Sequence, residues 1–299
     1  MTAQRTDVVV VGSINLDLRL EVAAIPRSGE TILARGMHKA TGGKGANQAA
    51  AAARLGRTVA MVGAVGNDDA AAEVLRRLGE EGVDTAAVAC ADDVTGTAIV
   101  LWERPESTII VNAGANDRVT GEFVRRHRDV VAAARAVLCQ LETPVEALGA
   151  VTEAATGLTV LNPAPAKGPL DPDLLARFDV VVPNRFELGN LAGLAAEPRS
   201  LADVETAART LDVPVAWVVT LGADGALVLD QGGDAVHIPA RRVDAVDTTA
   251  AGDSFCAGLV DALLDGADLT DAARWATRVA AATTTRHGAM DSLPRRDQI

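Results

Sequence analysis

The sequence predicts an α/β protein: a mostly parallel sheet covered by helices on both faces, with a small separate β appendage. Three observations carry this. Short β-branched runs, apolar on both faces, recur along the chain. Alanine-rich segments with helical spacing alternate with them, and two stretches of polar–apolar alternation break the rhythm.

In chain order, DVVVVGS (7–13) reads as a buried strand, because valine fills successive positions and a glycine ends the run. Residues 16–40, LDLRLEVAAIPRSGETILARGMHKA, alternate polar and apolar around a Pro26–Gly29 turn, the pattern of strands solvated on one face. GANQAAAAARLG (45–56) is helical, TVAMVGAVG (58–66) a strand, and DAAAEVLRRLGEEG (69–82) helical again. Residues 95–112, TGTAIVLWERPESTIIVN, form a second off-rhythm pair around ERPES. Beyond them RAVLCQLE (135–142), LTVLN (158–162), FDVVVPN (178–184), AWVVTLG (216–222) and GALVLD (225–230) read as strands. VEALGAVTEAA (145–155) and LADVETAARTL (201–211) have helical spacing. VDTTAAGDSFCAGLV (246–260) reads as a strand, a small-residue loop and a helix start, with Phe255, Leu259 and Leu263 on one face. No repeat, low-complexity tract or Gly/Ser linker divides the chain, so residues 1–299 are expected to form a single domain.

The 299 residues are 48% hydrophobic and 23% charged, which excludes a disordered chain. A net charge of −12, from 28 basic against 40 acidic residues, argues against nucleic acid or an anionic membrane as partner. A phosphate ligand would have to be met by local donors, a helix N-terminus or a metal. Cys90, Cys139 and Cys256 lack CxxC spacing and the four histidines are isolated, so a reduced cytoplasm is expected and a zinc cluster is not. The N-terminal apolar run is too short for a signal peptide, and no stretch reaches about 18 apolar residues. A soluble cytoplasmic protein is the expectation.

Several predicted strands end on polar residues: Ser13 and Asn15, Glu142, Asn162, Asn184, Thr220. In open parallel sheets, ligands bind beyond the carboxyl ends of the strands; the same residue types also cap helices and make turns. Ala250, Ala251 and Gly252 leave approachable N–H groups at a helix start, an anion site by dipole and geometry. By residue type Asp253 is either an N-cap, the commoner role, or a general base beside a bound phosphate. Asp247 and Thr249 are turn residues or oxygen ligands of a hard cation. TGGKGANQAAAAARLG (41–56) is a second glycine-rich loop into a helix; it is not a Walker A loop, and no GxGxxG follows the first strand. In VVPNRFE (181–187), Asn184 and Glu187 form either an N-cap pair or a water-mediated magnesium site. TLGADGALVL (220–229) is either a hairpin or a nucleotide bed.

In this order GSINLD (12–17), GGKGANQA (42–49), AGAN (113–116), QLETP (140–144), LNPAPA (161–166), PNRFE (183–187), TLGADG (220–225) and DTTAAGDSF (247–255) resemble the ribokinase family of carbohydrate kinases, within the phosphofructokinase-B-type superfamily. The resemblance spans about residues 8–294 and implies a three-layer α/β/α sandwich with a β-sheet lid, to which 16–40 and 95–112 correspond. It also implies a homodimer through the lid, and ATP, Mg²⁺ and K⁺ as donor and activating ions. It places Asn15, Asp17, Gly43, Lys44, Asn47 and Glu142 on the sugar, and Asp253 as catalytic base behind an anion hole of Ala250, Ala251 and Gly252. Asn184, Glu187, Thr220, Leu221, Gly222, Ala223, Asp224, Gly225, Gly252 and Thr277 serve the nucleotide, with Glu187 acting on Mg²⁺ indirectly. Asp247, Thr249, Thr283, Arg286, Gly288 and Ser292 match a monovalent-cation site, several through main-chain oxygens. The chain departs from the family pattern at Arg185-Phe186, at Met290-Asp291 and in the charged tip ERPES. The implied function is ATP-dependent phosphorylation of D-ribose; alternatives are a kinase for another pentose, a ketohexose or a nucleoside, or a non-catalytic sugar-binding regulator.

Overall fold

The computed structural model describes residues 6–103 and 106–299; Arg104 and Pro105 of the expected hairpin tip, and residues 1–5, lie outside them. The first half of the chain runs β1 (Val8–Val11), β2 (Asn15–Glu21), β3 (Gly36–Gly42), α1 (Lys44–Arg54), β4 (Val59–Val65), α2 (Asp69–Glu80), β5 (Val83–Cys90), β6 (Gly96–Glu103) and β7 (Glu106–Asn112). It continues through α3 (Gly121–Arg126), α4 (Arg128–Ala133), β8 (Ala136–Cys139), α5 (Glu146–Ala154) and β9 (Leu158–Leu161). Then follow α6 (Pro172–Leu175), β10 (Val180–Val181), α7 (Arg185–Leu191), α8 (Leu201–Thr210), β11 (Ala216–Thr220), β12 (Ala226–Leu229), β13 (Val236–Ile238), α9 (Ala251–Leu264) and α10 (Leu269–Thr284).

Nine strands form one sheet in the order β13-β12-β11-β10-β9-β8-β1-β4-β5. It is parallel from β5 to β11 and antiparallel only at β12 and β13. The valines of β1 show why: Val8 and Val10 join a core with α1, α2, α9 and α10, while Val9 and Val11 join a second core with α3, α5, α7 and α8. A strand buried on both faces has no polar alternation, as its sequence does not. This is the three-layer arrangement. A second sheet, β3-β2-β6-β7, comes from the two off-rhythm segments.

The helical spacing read over 45–56, 69–82, 145–155 and 201–211 corresponds to α1, α2, α5 and α8. β5 has no clear sequence signal, because it is an edge strand with mixed exposure. α10 is hidden in an alanine-rich segment and packs along α9. One expectation fails: the residues before α9 form no strand. Asp247 instead accepts hydrogen bonds from Thr249 N (3.0 Å) and Thr249 Oγ1 (2.6 Å), which turns the chain where a strand would run on. Among the described residues no helix is long and apolar enough to cross a membrane, and the three cysteines are free.

Candidate active site

Because β1 and β8 to β11 run parallel, their carboxyl ends lie along one edge, where the polar strand-end residues gather. Ser13 Oγ donates to Glu142 Oε2 at 2.5 Å, and Lys44 N donates to the same oxygen at 2.9 Å. Asn116 accepts from Ile14 N (2.9 Å) and donates to Asn15 Oδ1 (2.7 Å), fixing the first residue of β2. The glycine-rich loop presses onto these strand ends. Gly43 has φ +86°, and a Cβ there would lie 2.9 Å from Asn15 N, so both conformation and space require glycine. At Gly42 a Cβ would overlap the Asp17 carboxylate.

This close approach lets α1 present two side chains to the start of α9. Asn47 Nδ2 donates to Asp253 Oδ2 at 3.0 Å, and Gln48 Nε2 donates to Asp253 Oδ1 at 3.2 Å. Gln48 is itself held by Gln140 Nε2 (2.6 Å) and shares its amide with Asn162 Oδ1 (3.2 Å). Asp253 is not an N-cap. Ala250 occupies that position in a left-handed conformation (φ 60°) with no side-chain cap, and Asp253 sits in the first turn with its carboxylate turned into the protein. Of the first-turn amides, that of Ala251 donates to Thr248 O (3.2 Å), whereas those of Gly252 and Asp253 precede the first intrahelical bond, Ser254 N to Ala250 O. Gly252 N and Asp253 N are therefore the first-turn amides left open for an anion.

The charges are mutually adjusted. Burial pushes the Asp253 carboxyl above its ordinary value, against the opposing pull of the Lys44 charge and the Asn47 hydrogen bond. Burial likewise raises Asp17 to about 7, helped by the negative charges of Glu142 and Asp253. Burial works against the Lys44 ammonium, but Asp253, Glu142 and Glu187 outweigh it and raise its pKa, so the charge persists. Asp17 Oδ1 and Asn47 Oδ1 are buried without a hydrogen-bond partner. Such acceptors suit a ligand carrying several hydroxyl groups.

A raised carboxyl pKa costs stability only where the folded group must ionise. The cost is absent below the unfolded value near 4 and fully developed above about pH 7. Asp17→Asn is therefore expected to stabilise the ligand-free protein by up to about 4 kcal/mol at pH 8 and much less at pH 5. Urea denaturation at the two pH values measures this; an equal effect at both would contradict it.

Asn184 caps α7 and forms a reciprocal pair with Glu187: Asn184 Oδ1 accepts from Glu187 N (2.8 Å), and Glu187 Oε2 from Asn184 N (2.8 Å). The capping reading holds. Burial raises the Glu187 carboxyl despite that bond and the Lys44 charge. Among the described residues no three His, Cys, Asp or Glu side chains cluster as metal ligands. One buried carboxylate within electrostatic reach of Lys44 and Asp253 still fits a hydrated Mg²⁺, which takes few protein ligands.

Thr220 to Gly225 form the β11–β12 hairpin turn, with Gly222 to Asp224 in a 3₁₀ turn containing Ala223, and Leu221 N bonded to Gly225 O. Arg185 reaches across to Asp224 Oδ2 at 2.8 Å. Thr277 lies in α10 with Oγ1 bonded to Ala273 O. The expected cation set comes together in part. Asp247 Oδ2 accepts from Gly288 N at 3.0 Å, joining the 246–250 and 286–290 loops. Burial opposes ionisation of Asp247, yet hydrogen bonds from Thr249 and Gly288 and the Arg19 charge hold its pKa below the ordinary value. The side chains of Thr283, Arg286 and Ser292 are engaged elsewhere, with Ser254, Gln298 and Ala289 O respectively. One carboxylate joining two loops is a donor that a monovalent cation fits where backbone carbonyls of those loops complete the set.

Gln48 and Gln140 were not legible as site residues. The one available signal was a polar pair, Asn47-Gln48, inside an otherwise alanine-filled helix.

A carboxylate buried at a helix start, beside first-turn amides outside the helical ladder and within electrostatic reach of Asp17 on the small sheet, is an arrangement that suits a phosphotransferase acting on a small polyhydroxylated molecule. The sequence model of the pfkB family of carbohydrate kinases matches residues 5–296, and the chain belongs to that family. It is 36% identical over 300 residues to the ribokinase of Haemophilus influenzae, covering 98% of this chain and 97% of that one. The fold matches the crystal structure of ribokinase from Thermotoga maritima with a TM-score of 0.90 at 31% identity, over 98% and 97% of the two chains. It matches Arabidopsis thaliana ribokinase complexed with ribose and ATP with a TM-score of 0.86 at 30% identity, over 99% and 97%.

Proposed function

We propose that the chain phosphorylates D-ribose at its 5-hydroxyl with ATP, Asp253 acting as general base. The observation that carries this is the Asp253 carboxylate, held by Asn47 and Gln48 directly before the amides of Gly252 and Asp253. The primary hydroxyl loses its proton to Asp253 as its oxygen attacks the terminal phosphorus in line. Charge developing on the transferred group is met by the two first-turn amides. Lys44 and the unpartnered acceptors of Asp17 and Asn47 support binding of sugar hydroxyls, with Asn15, Gly43 and Glu142 completing the wall.

Asn184 and Glu187 would hold hydrated Mg²⁺ at the phosphates, where the ion supplies charge neutralisation. Asp247 would hold K⁺ together with main-chain oxygens of Thr249, Arg286 and Gly288. The 220–225 turn and Thr277 border the nucleotide. The small sheet serves as the lid, excluding water from the reacting phosphate. Its exposed Met37, Ile99 and Ile110, which share the face opposite Asp17, suit a second copy of the chain, making a homodimer. A cytoplasmic location accords with the free cysteines and the ATP requirement.

A coupled ADP-release assay tests the reading, with ribose, 2-deoxyribose, fructose and adenosine as acceptors, each with and without potassium. Ribose is expected to give the highest kcat/KM, and potassium to increase it. Faster turnover of adenosine would replace the sugar with a nucleoside; ribose binding without ADP formation would overturn the kinase reading.

A further inference from the structure

Side chains alternate along β2, so Asp17, Arg19 and Glu21 share one face, and the register with β6 continues that face onto Val100 and Trp102. Asp17 identifies it as the face turned towards the site. Arg19 lies one step farther out. Its guanidinium carbon stands 3.5 Å from the centre of the Trp102 ring, and its Nη1 lies 3.8 Å from Asp247 Oδ2. Both side chains are largely shielded, at 27% and 15% exposure. Stacking on the indole removes much of the side-chain freedom that makes surface ion pairs weak, and arginine is the cation best shaped for it.

Asp247 does not belong to the small sheet. It stands in the loop leading to α9, and it already ties that loop to Gly288 N. His287 Nδ1 approaches the same oxygen at 3.9 Å. A charge carried by the small sheet therefore meets the one carboxylate that braces both loops beside the anion site.

We propose that Arg19 is a positioning residue: stacked on Trp102, it supplies Asp247 with a built-in positive charge and holds the 246–250 loop, and thus the first turn of α9, in register with the lid. Two consequences follow. The loop is ordered before any substrate arrives. A monovalent cation drawn to Asp247 shares that carboxylate with Arg19, so the chain depends less on added potassium than it would without the arginine. The second consequence rests on the sugar-kinase reading; the first does not.

The experiment compares wild type with Arg19→Met, Arg19→Lys and Trp102→Leu. Hydrogen exchange in the ligand-free proteins is expected to speed up about tenfold or more at the bonded amides of Val246, Asp247, Thr249 and Ala251 in Arg19→Met, with the amides of β1, β4 and α5 unchanged. Trp102→Leu should follow it, and Arg19→Lys should fall between, because lysine keeps the charge but not the planar stack. Equal exchange in Arg19→Met and wild type overturns the proposal. In ribose turnover, the ratio of kcat with potassium to kcat without it is expected to rise at least about fivefold in Arg19→Met, a change arising from Asp247 charge compensation, and to be largely restored by Arg19→Lys. An unchanged ratio overturns the charge-sharing consequence. If no protein, wild type included, turns over ribose, the ribose reading fails and the exchange comparison alone decides the role of Arg19.

Discussion

Asp253→Asn is expected to lower kcat by at least about a hundredfold while leaving KM for the sugar within a few-fold, the pattern for losing a general base. The substitution keeps size and shape, so the anion site and the Gln48 contact survive; Asn47 has only to turn its amide to face the new NH₂ group. What is lost is the ability to take a proton. Instability cannot imitate this result. Burial raises the Asp253 carboxyl, so its ionised form is disfavoured in the folded protein, and the neutral amide should be at least as stable at pH 8. Steady-state kinetics beside a denaturation curve separate the two. A kcat within a few-fold of wild type would remove Asp253 from the mechanism.

Asp253 marks where local sequence pattern reaches its limit, since only the resemblance in motif order pointed to a base there. Position at a helix start makes an N-cap the ordinary expectation, and only the arrival of Asn47 and Gln48 from α1, across more than 200 residues of chain, turns the carboxylate inward. The strands were legible because valine runs buried on both faces admit few other structures. The edge strand β5 was not, since its mixed exposure erases the pattern. Asn184 and Glu187 were legible as a pair because a capping box is local. Gln48, Gln140 and the Arg19–Asp247 contact depend on which strand ends meet, and periodicity carries no information about that.

The structural counterpart of Asp253 is Gly45, where a single methyl group is expected to disable the site without touching the chemistry. A Cβ there would lie 2.7 Å from both Ser13 N and Ser13 O, and 2.8 Å from Gly12 C, all backbone at the buried end of β1. Two effects compete. Alanine is the better helix former by about 1 kcal/mol, whereas forcing atoms into a packed backbone contact costs typically about 1–3 kcal/mol. The neighbours cannot yield, because Ala46 N is bonded to Ser13 O at 2.9 Å and Gly45 N to Ser13 Oγ at 3.3 Å, so α1 must move away as a unit. Asn47 and Gln48 move with it and release the Asp253 carboxylate. A displacement on this scale is expected to lower kcat/KM by about 10- to 100-fold, with a modest loss of stability. Gly79→Ala provides the contrast: it lies exposed in α2, a Cβ there meets nothing within 4 Å, and propensity alone should stabilise the protein slightly with unchanged kinetics. Wild-type kcat/KM in Gly45→Ala would show that α1 does not set the position of the base.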